Sequence, residues 1–273
     1  MQSILTDFDP TTLRQAIKAN WADYYTYFAR SPKVELHTDS PLTWMLTSVP
    51  DSFVNVVFRT QLPADRTSDV IDEALDHFRS KKVTHLGWWV EEDAQQANRQ
   101  KQLIDHGLTF SEGATGMAVD LTALHEDQPV PANLQIVHVE DRETLQRWIH
   151  IARVGFSVPE WGEGRWCDVF ADLGFELPIR SYLALLNGQL VGTSQLFLSA
   201  GVAGIYNVTC LPEARGQGVG GAITLAPLIE ARQMGYRISI LQASRLGARV
   251  YRRLGFQEYG RLNNYLWVNE AQT

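Results

Sequence analysis

Cysteine is scarce: Cys167 and Cys210 are the only two in 273 residues. They could form at most one disulfide, and no C-x-x-C pair or His/Cys cluster suggests a structural metal. A reducing, cytoplasmic environment is expected. Long apolar runs are missing too, since none approaches the ~20 residues that span a bilayer. The first residues, MQSILTDFDPTTL, lack the basic start and apolar stretch of a secretory signal, so neither export nor membrane insertion is expected. Positive charge is in deficit. The 24 Lys+Arg against 31 Asp+Glu leave a net charge of -7, the wrong sign for a protein whose affinity comes from neutralising phosphate backbones. Nucleic acid is not an expected partner. The seven His, at 37, 77, 85, 106, 125, 138 and 150, never take the i, i+4 spacing with an intervening Glu of a helical zinc site. No metal is expected.

What remains is ordinary globular composition, 45% hydrophobic and 20% charged. At about 150 residues per domain the length points to nearly two domains. The chain repeats itself. Thr60-Gln-Leu62-Pro63-Ala-Asp-Arg66 and Thr209-Cys-Leu211-Pro212-Glu-Ala-Arg215 stand at an offset of 149 residues, and each follows a strand-like run, Phe53 to Phe58 or Val202 to Val208. Each then enters a helix-like stretch. A short strand follows in both, Val83 to Val90 or Tyr236 to Leu241. Another helix then closes on His106-Gly107-Leu108 or Leu254-Gly255-Phe256, before a final strand. One unit of strand, turn, helix, strand, helix, strand occurs twice.

Between the copies, TALHEDQPVPAN (122–133) loses periodicity and gathers prolines and acidic residues, as a linker would. The expected domains are 1–128 and 129–273. Alternating helices and strands predict an α/β (α+β layered) architecture, two tandem domains, each a mixed β-sheet flanked by helices. Asn187-Gly188 between two apolar runs predicts a two-residue hairpin. Pro227 falls inside an otherwise helical run and should kink it. Val70, Ile71, Ala74, Leu75 and Phe78 form an ordinary core-facing stripe.

The copies differ in one place. After Arg215 the second reads Gly216-Gln217-Gly218-Val219-Gly220-Gly221; after Arg66 the first reads Thr67-Ser68-Asp69-Val70-Ile71-Asp72. Glycine at a strand-to-helix turn lets backbone N–H groups converge on an anion at the positive end of the helix. The second copy can hold a phosphate there, whereas Asp69 and Asp72 would repel one. No cofactor site is expected in the first copy. The loop lacks the Gly-Lys-Ser/Thr ending of a nucleoside-triphosphate loop, and Ile223 breaks the G-x-G-x-x-G dinucleotide pattern.

The pattern that fits is Arg-x-x-Gly-x-Gly, met by Arg215, Gly218 and Gly220. It resembles the coenzyme A loop of the GNAT superfamily of N-acetyltransferases. The resemblance runs over roughly Leu134 to Trp267, carried by V-T-C-L-P-E-A-R-G-Q-G-V-G-G (Val208 to Gly221) and Y-R-R-L-G-F (Tyr251 to Phe256). It implies that the backbone of Val208, Thr209 and Cys210 pairs with the pantetheine arm of acetyl-CoA. Arg215, Gly216, Gln217, Gly218, Val219, Gly220 and Gly221 would carry the pyrophosphate. Ser244 stands where the family often has an Asn that holds the cofactor arm, and Tyr251 where many members protonate the departing thiolate. Ser244 also suits a helix N-cap, and Tyr251 a core position beside Ala248 and Leu254.

A phenol of pKa near 10 protonating a thiolate whose acid has pKa near 8.5 is uphill by ~2 kcal/mol. Tyr251 is therefore expected to stabilise charge developing on sulfur. The larger contributions would come from positioning and from backbone N–H groups facing the carbonyl oxygen. Glu160 and Glu163 are candidates for the base that takes the amine's proton, and Trp161 and Trp166 for an acceptor pocket. Trp88-Trp89 reads as packing, and Cys210 has no sequence-adjacent base.

The resemblance implies direct acetyl transfer from acetyl-CoA to a primary amine of a small molecule or protein, in a monomer or homodimer. A non-catalytic coenzyme A sensor and aminoacyl transfer from charged tRNA are the alternatives. Gly218→Asp, copying Asp69, is expected to abolish coenzyme A binding without unfolding the protein.

Overall fold

The computed structural model describes residues 3–39, 41–63, 65–92, 96–158 and 162–269. The elements in order are α1 (Pro10–Tyr27), β1 (Val34–His37), β2 (Leu42–Thr47), β3 (Val56–Thr60), α2 (Thr67–Ser80), β4 (His85–Glu91), α3 (Gln96–Asp105) and β5 (Thr109–Asp120). After an irregular stretch come β6 (Leu134–His138), α4 (Arg142–Phe156), α5 (Glu163–Asp172), β7 (Ile179–Leu186), β8 (Gln189–Ser199) and β9 (Val202–Cys210). The chain closes with α6 (Val219–Gln233), β10 (Ile238–Ala243), α7 (Ala248–Arg253) and β11 (Gln257–Val268). The repeat is thereby visible as β3-α2-β4-α3-β5 and β9-α6-β10-α7-β11.

Contacts divide the chain into two compact units, Met1–Tyr24 with Thr115–Tyr259, and Tyr25–Ala114 with Gly260–Thr273. This is not the division at 128/129 expected from the sequence, and the reason is strand exchange. The last strand of each copy pairs in the sheet of the other: β5 lies antiparallel to β10, and β11 antiparallel to β4. In each case the receiving strand is itself parallel to the strand that opens its copy, β10 to β9 and β4 to β3. The segment 122–133 still loses regular structure, with a 3₁₀ turn at Leu121–Ala123 and no helix or strand until β6.

In the unit formed by Tyr25–Ala114 and Gly260–Thr273, the strands run β1-β2-β3-β4-β11. Helix α2 covers them with the expected stripe, Val70, Ile71, Ala74, Leu75 and Phe78, against Trp44, Val57, Leu86, Trp88 and Tyr265. Trp88 is fully buried and donates its indole N–H to Thr60 Oγ1 at 3.0 Å, the partner a buried indole needs. At the start of α2 the two carboxylates have partners, Asp69 the Arg66 guanidinium (3.7 Å) and Asp72 the His106 ring (3.6 Å).

In the other unit the order is β5-β10-β9-β8-β7-β6. The β7–β8 hairpin turns on Asn187 and Gly188, both at positive φ (53° and 79°) as a two-residue type I′ turn requires. Helix α6 packs on one face of the sheet through Val219, Ile223, Leu228 and Ala231, joined by Tyr251 and Leu254. Pro227 is buried within α6, which runs unbroken past it; nothing in the structure assigns it a role. On the opposite face Leu13, Ala16 and Ile17 of α1 pack with Val202, Ile238 and Ile240.

Asn20 of α1 pins this second contact. Its amide donates to the carbonyls of Phe197 (3.4 Å) and Ser199 (3.0 Å), and its oxygen accepts from Tyr206 Oη at 2.7 Å. The amide lies directly over Gly204, where a Cβ would sit 2.1 Å from Asn20 Oδ1. Held from three sides, Asn20 has nowhere to withdraw. Gly204→Ala is therefore expected to cost about 1–3 kcal/mol, the usual penalty of overpacking. It would show as a lower urea midpoint at unchanged slope, and an unchanged midpoint would mean that the contact yields freely.

Candidate functional site

The site is built where β9 leaves β10. Their parallel register runs from Ala203/Ser239 to Ile205/Leu241. Beyond it β9 continues five residues to Cys210 and β10 two residues to Ala243, so the strands part and β9 presents backbone groups to the gap. The cause lies on the other edge of β9. Thr193 pairs with Thr209 but Gln195 with Tyr206, so Asn207 and Val208 together oppose Ser194 alone. This is a β-bulge, which bends the strand that carries the extra residue.

Asn207 takes φ +50°, a conformation Asn tolerates better than most residues because its short polar side chain bonds locally. Here its Nδ2 donates to Tyr24 Oη (2.9 Å) and Gln195 Oε1 (3.0 Å). Its carbonyl accepts from Thr193 Oγ1 at 2.8 Å. Tyr24 in turn donates to Gln195 Oε1 (2.8 Å) and stacks on Tyr206 with centroids 3.9 Å apart. Gln195 Nε2 donates to Ser181 Oγ at 2.8 Å. A buried polar network satisfied in this way holds one backbone conformation, so helix α1 and strand β8 together hold the bulge.

From Cys210 the chain passes a 3₁₀ turn, Pro212–Ala214, into the glycine loop. Arg215 ties the loop back, its Nε donating to the Cys210 carbonyl (3.3 Å) and its terminal nitrogen to the Gly155 carbonyl (3.1 Å) at the end of α4. Gln217 donates to the Glu213 carbonyl at 2.7 Å. Gly216 and Gly218 have φ of +75° and +88°, and Gly218 begins α6 with no side-chain cap. An uncapped first turn directs free N–H groups and the positive end of the helix dipole outward. A Cβ at Gly216 or Gly221 would meet nothing within 4 Å, and one at Gly220 would meet only Cys210 Sγ at 3.8 Å. Val219 points into the core.

Gly218 is different, and corrects one expectation. A Cβ there would sit 2.3 Å from the Pro129 carbonyl oxygen in the linker. Gly218→Asp would therefore strain the linker as well as add charge, and cannot be expected to leave folding untouched. Gly221, the counterpart of Asp72, has the space that Gly218 lacks.

Strand end and helix α7 meet at Cys210 and Tyr251. Tyr251 is only 7% exposed, with its ring 5.9 Å from Phe256 and close against Gly247, where a Cβ would lie 2.9 Å from Cε2. Burial, and to a lesser degree the neighbouring Cys210, pushes its phenol well above the usual range. Burial likewise pushes the Cys210 thiol up to about 11, although Arg215 opposes it. Both groups stay protonated at neutral pH. Ser244 Oγ accepts from the Gly247 N–H at 3.2 Å in the turn that precedes α7; the N-cap of the helix is Gly247, not the Ser244 suggested by the sequence.

The other candidates divide. Glu163 is bound by Arg153 Nε (3.0 Å) and His150 Nδ1 (3.2 Å), and so is committed to an ion-pair cluster between α4 and α5. Trp166 is buried in α5. Glu160 and Trp161 lie outside the described residues. Sequence reasoning missed Tyr24, Gln195 and Asn207. Of these only Asn207 left a signal, a strand-disfavoured residue inside an apolar strand.

Residues 178–258 match the acetyltransferase (GNAT) domain family. This stretch is a GNAT domain. It contains the bulge, the parting strands, the glycine loop and Tyr251. No curated protein matches the chain by sequence. Among solved structures the chain is similar to a GCN5-related N-acetyltransferase from Kribbella flavida, at 18% identity, over 90% of this chain and 94% of that one, with a TM-score of 0.66. A conserved protein of unknown function from Staphylococcus epidermidis ATCC 12228 matches at 15% identity over 85% and 93%, TM-score 0.64. A tandem GNAT protein from the clavulanic acid biosynthesis pathway matches at 17% identity over 97% of both chains, TM-score 0.59. The likeness extends over nearly the whole chain, so the first copy shares the GNAT fold as well.

Proposed function

We propose that the protein is an acetyl-CoA-dependent N-acyltransferase that passes an acetyl group directly to a primary amine of a small molecule or protein. The observation that carries the reading is the parting of β9 from β10 beside an uncapped, glycine-lined helix start. The residues present fit coenzyme A on this chain's own geometry. Gly216, Gly220 and Gly221 leave open space at the positive end of α6, where a pyrophosphate is favoured. Beyond Ile205 the backbone through Val208, Thr209 and Cys210 runs along a gap that suits a polar, amide-containing arm. Arg215 has donors beyond the two it uses to tie the loop.

Bound there, the coenzyme would supply an activated thioester carbonyl. The chain's contribution is to orient and polarise. A backbone N–H beyond the Asn207 bulge, held by Tyr24 and Gln195, would face a carbonyl oxygen as it gains charge, the form of stabilisation worth most in a preorganised site. Tyr251 would donate a hydrogen bond from a neutral phenol to sulfur. Its raised pKa makes full proton transfer costlier than from a free phenol. Cys210 stays a thiol at neutral pH, which supports direct transfer without an acyl-enzyme. Ser244 would serve the coenzyme arm only if it gave up the Gly247 N–H.

In this reading the first copy, with Asp69 and Asp72 at its helix start, takes no coenzyme. The second copy works alone in the cytoplasm, in a monomer or homodimer, with neither nucleic acid nor membrane as partner. No described helix is long and apolar enough to cross a membrane.

Two variants test the proposal. Gly221→Asp places a carboxylate in the first turn of α6 without a clash, where the dipole favours it by about 0.3–1 kcal/mol. The folded state should be as stable as the wild type or more so, while the dissociation constant for coenzyme A rises at least tenfold; unaltered affinity would refute the loop assignment. Tyr251→Phe should slow acetyl transfer by about one to three decades at little change in coenzyme affinity. Full activity would leave Tyr251 a packing residue.

A further inference from the structure

The start of α2 holds a pair of side chains that the coenzyme chemistry leaves unused. Ser68 is exposed in the first turn of α2, and its Oγ lies 2.9 Å from Nε2 of His106, the residue that follows α3. Both belong to the unit Tyr25–Ala114 with Gly260–Thr273. The imidazole is largely covered, with 12% of its side chain exposed. Its other nitrogen, Nδ1, lies 2.6 Å from the carbonyl oxygen of Gln102. A carbonyl can only accept, so Nδ1 carries the hydrogen of that bond, and the neutral ring keeps its lone pair on Nε2. Ser68 is then the donor in the first bond. A hydroxyl donating to a base whose tautomer is fixed from behind is the arrangement that activates a nucleophile.

The surroundings suit the pair to acyl chemistry. Asp72 Oδ2 stands 3.6 Å from Nε2, facing the positive charge that the ring gains when it takes the Ser68 proton. Helix α2 begins without a side-chain cap, and the first N–H groups of a helix have no intrahelical acceptor. Ser68 stands in that turn, so those groups and the positive end of the dipole are at hand for an oxyanion formed on a carbon bonded to its Oγ. The local charge also limits the substrate. Asp69, Asp72 and Glu73 outnumber Arg66, which pairs with Asp69 (3.7 Å) and Glu73 (3.3 Å), and carboxylates repel an anionic acyl donor.

We propose that Ser68 and His106 form a separate catalytic centre in the first copy, one that hydrolyses small uncharged or cationic esters through an acyl-serine. Ser68 Oγ bonds to the ester carbonyl carbon as its proton passes to His106 Nε2. The carbon–oxygen bond to the alcohol then breaks, and the alcohol leaves with the proton from Nε2. Water next gives a proton to Nε2 as its oxygen attacks the acyl-serine. The carboxylic acid departs as Ser68 takes that proton back. Ester and water balance the reaction, so the centre stands independently of the coenzyme reading.

The experiment mixes the full chain with p-nitrophenyl acetate, an uncharged ester, at neutral pH, for the wild type, Ser68→Ala and His106→Gln. Release of p-nitrophenolate is followed, and acid-quenched samples are digested to locate acetyl groups by mass spectrometry. The wild type should carry a transient acetyl group on Ser68. Each variant should release p-nitrophenolate about a hundredfold more slowly, since general-base assistance is worth about 10²–10⁴. Ser68 is exposed, so its alanine variant keeps the test decisive even where His106→Gln fails to fold. Acetyl groups on lysines alone, or a Ser68→Ala protein as fast as the wild type, would overturn the centre. So would a Ser68→Ala protein with a lowered urea midpoint and an unchanged rate, because the pair would then only tie α2 to α3.

Discussion

The parting of β9 from β10 is the constraint on which the candidate site depends. Two residues of β9 oppose one of β8, and the extra residue, Asn207, is held at positive φ by Tyr24 and Gln195. Without that bulge the strand would continue in register and its backbone groups would pair with β10. With it, the gap opens beside the start of α6, and Cys210, Tyr251 and the glycine loop gather at its end. The bend is therefore maintained from the side away from the loop, by a helix that lies nearly two hundred residues earlier in the sequence.

Duplication explains the architecture, and one local difference explains why the copies are not equivalent. Both copies place a helix start after the same Leu-Pro turn. In one the first turn carries Asp69 and Asp72 beside Arg66 and His106; in the other it carries glycines, with open space at Gly221. The same backbone geometry thus presents negative charge in one case and bare N–H groups in the other. Exchange of the last strands means that neither copy completes its sheet with its own chain end.

Local patterns in the sequence were reliable guides where local physics decides. The stripe Val70 to Phe78 became the buried face of α2, Asn187-Gly188 became a type I′ hairpin, and the paired order of elements became β3-α2-β4-α3-β5 and β9-α6-β10-α7-β11. What escaped depends on contacts between distant residues. Nothing near β5 or β11 signals which sheet it joins, because either would bury the same apolar face. The packing of α1 on β9 rests on Asn20 fitting over Gly204, and the demand for glycine at 218 on the Pro129 carbonyl. In both cases the glycine was visible and its partner was not. Ser244 and Glu163 were legible as polar residues near the site, but their neighbours employ them in a turn and an ion pair.

The central claim is that one copy, and one only, binds coenzyme A. The direct measurement is the number of coenzyme A molecules bound per chain at saturation, by equilibrium titration of the wild-type protein. The account predicts one. Two would contradict the reading of Asp69 and Asp72 as barriers in the first copy, and none would contradict the assignment of the glycine loop.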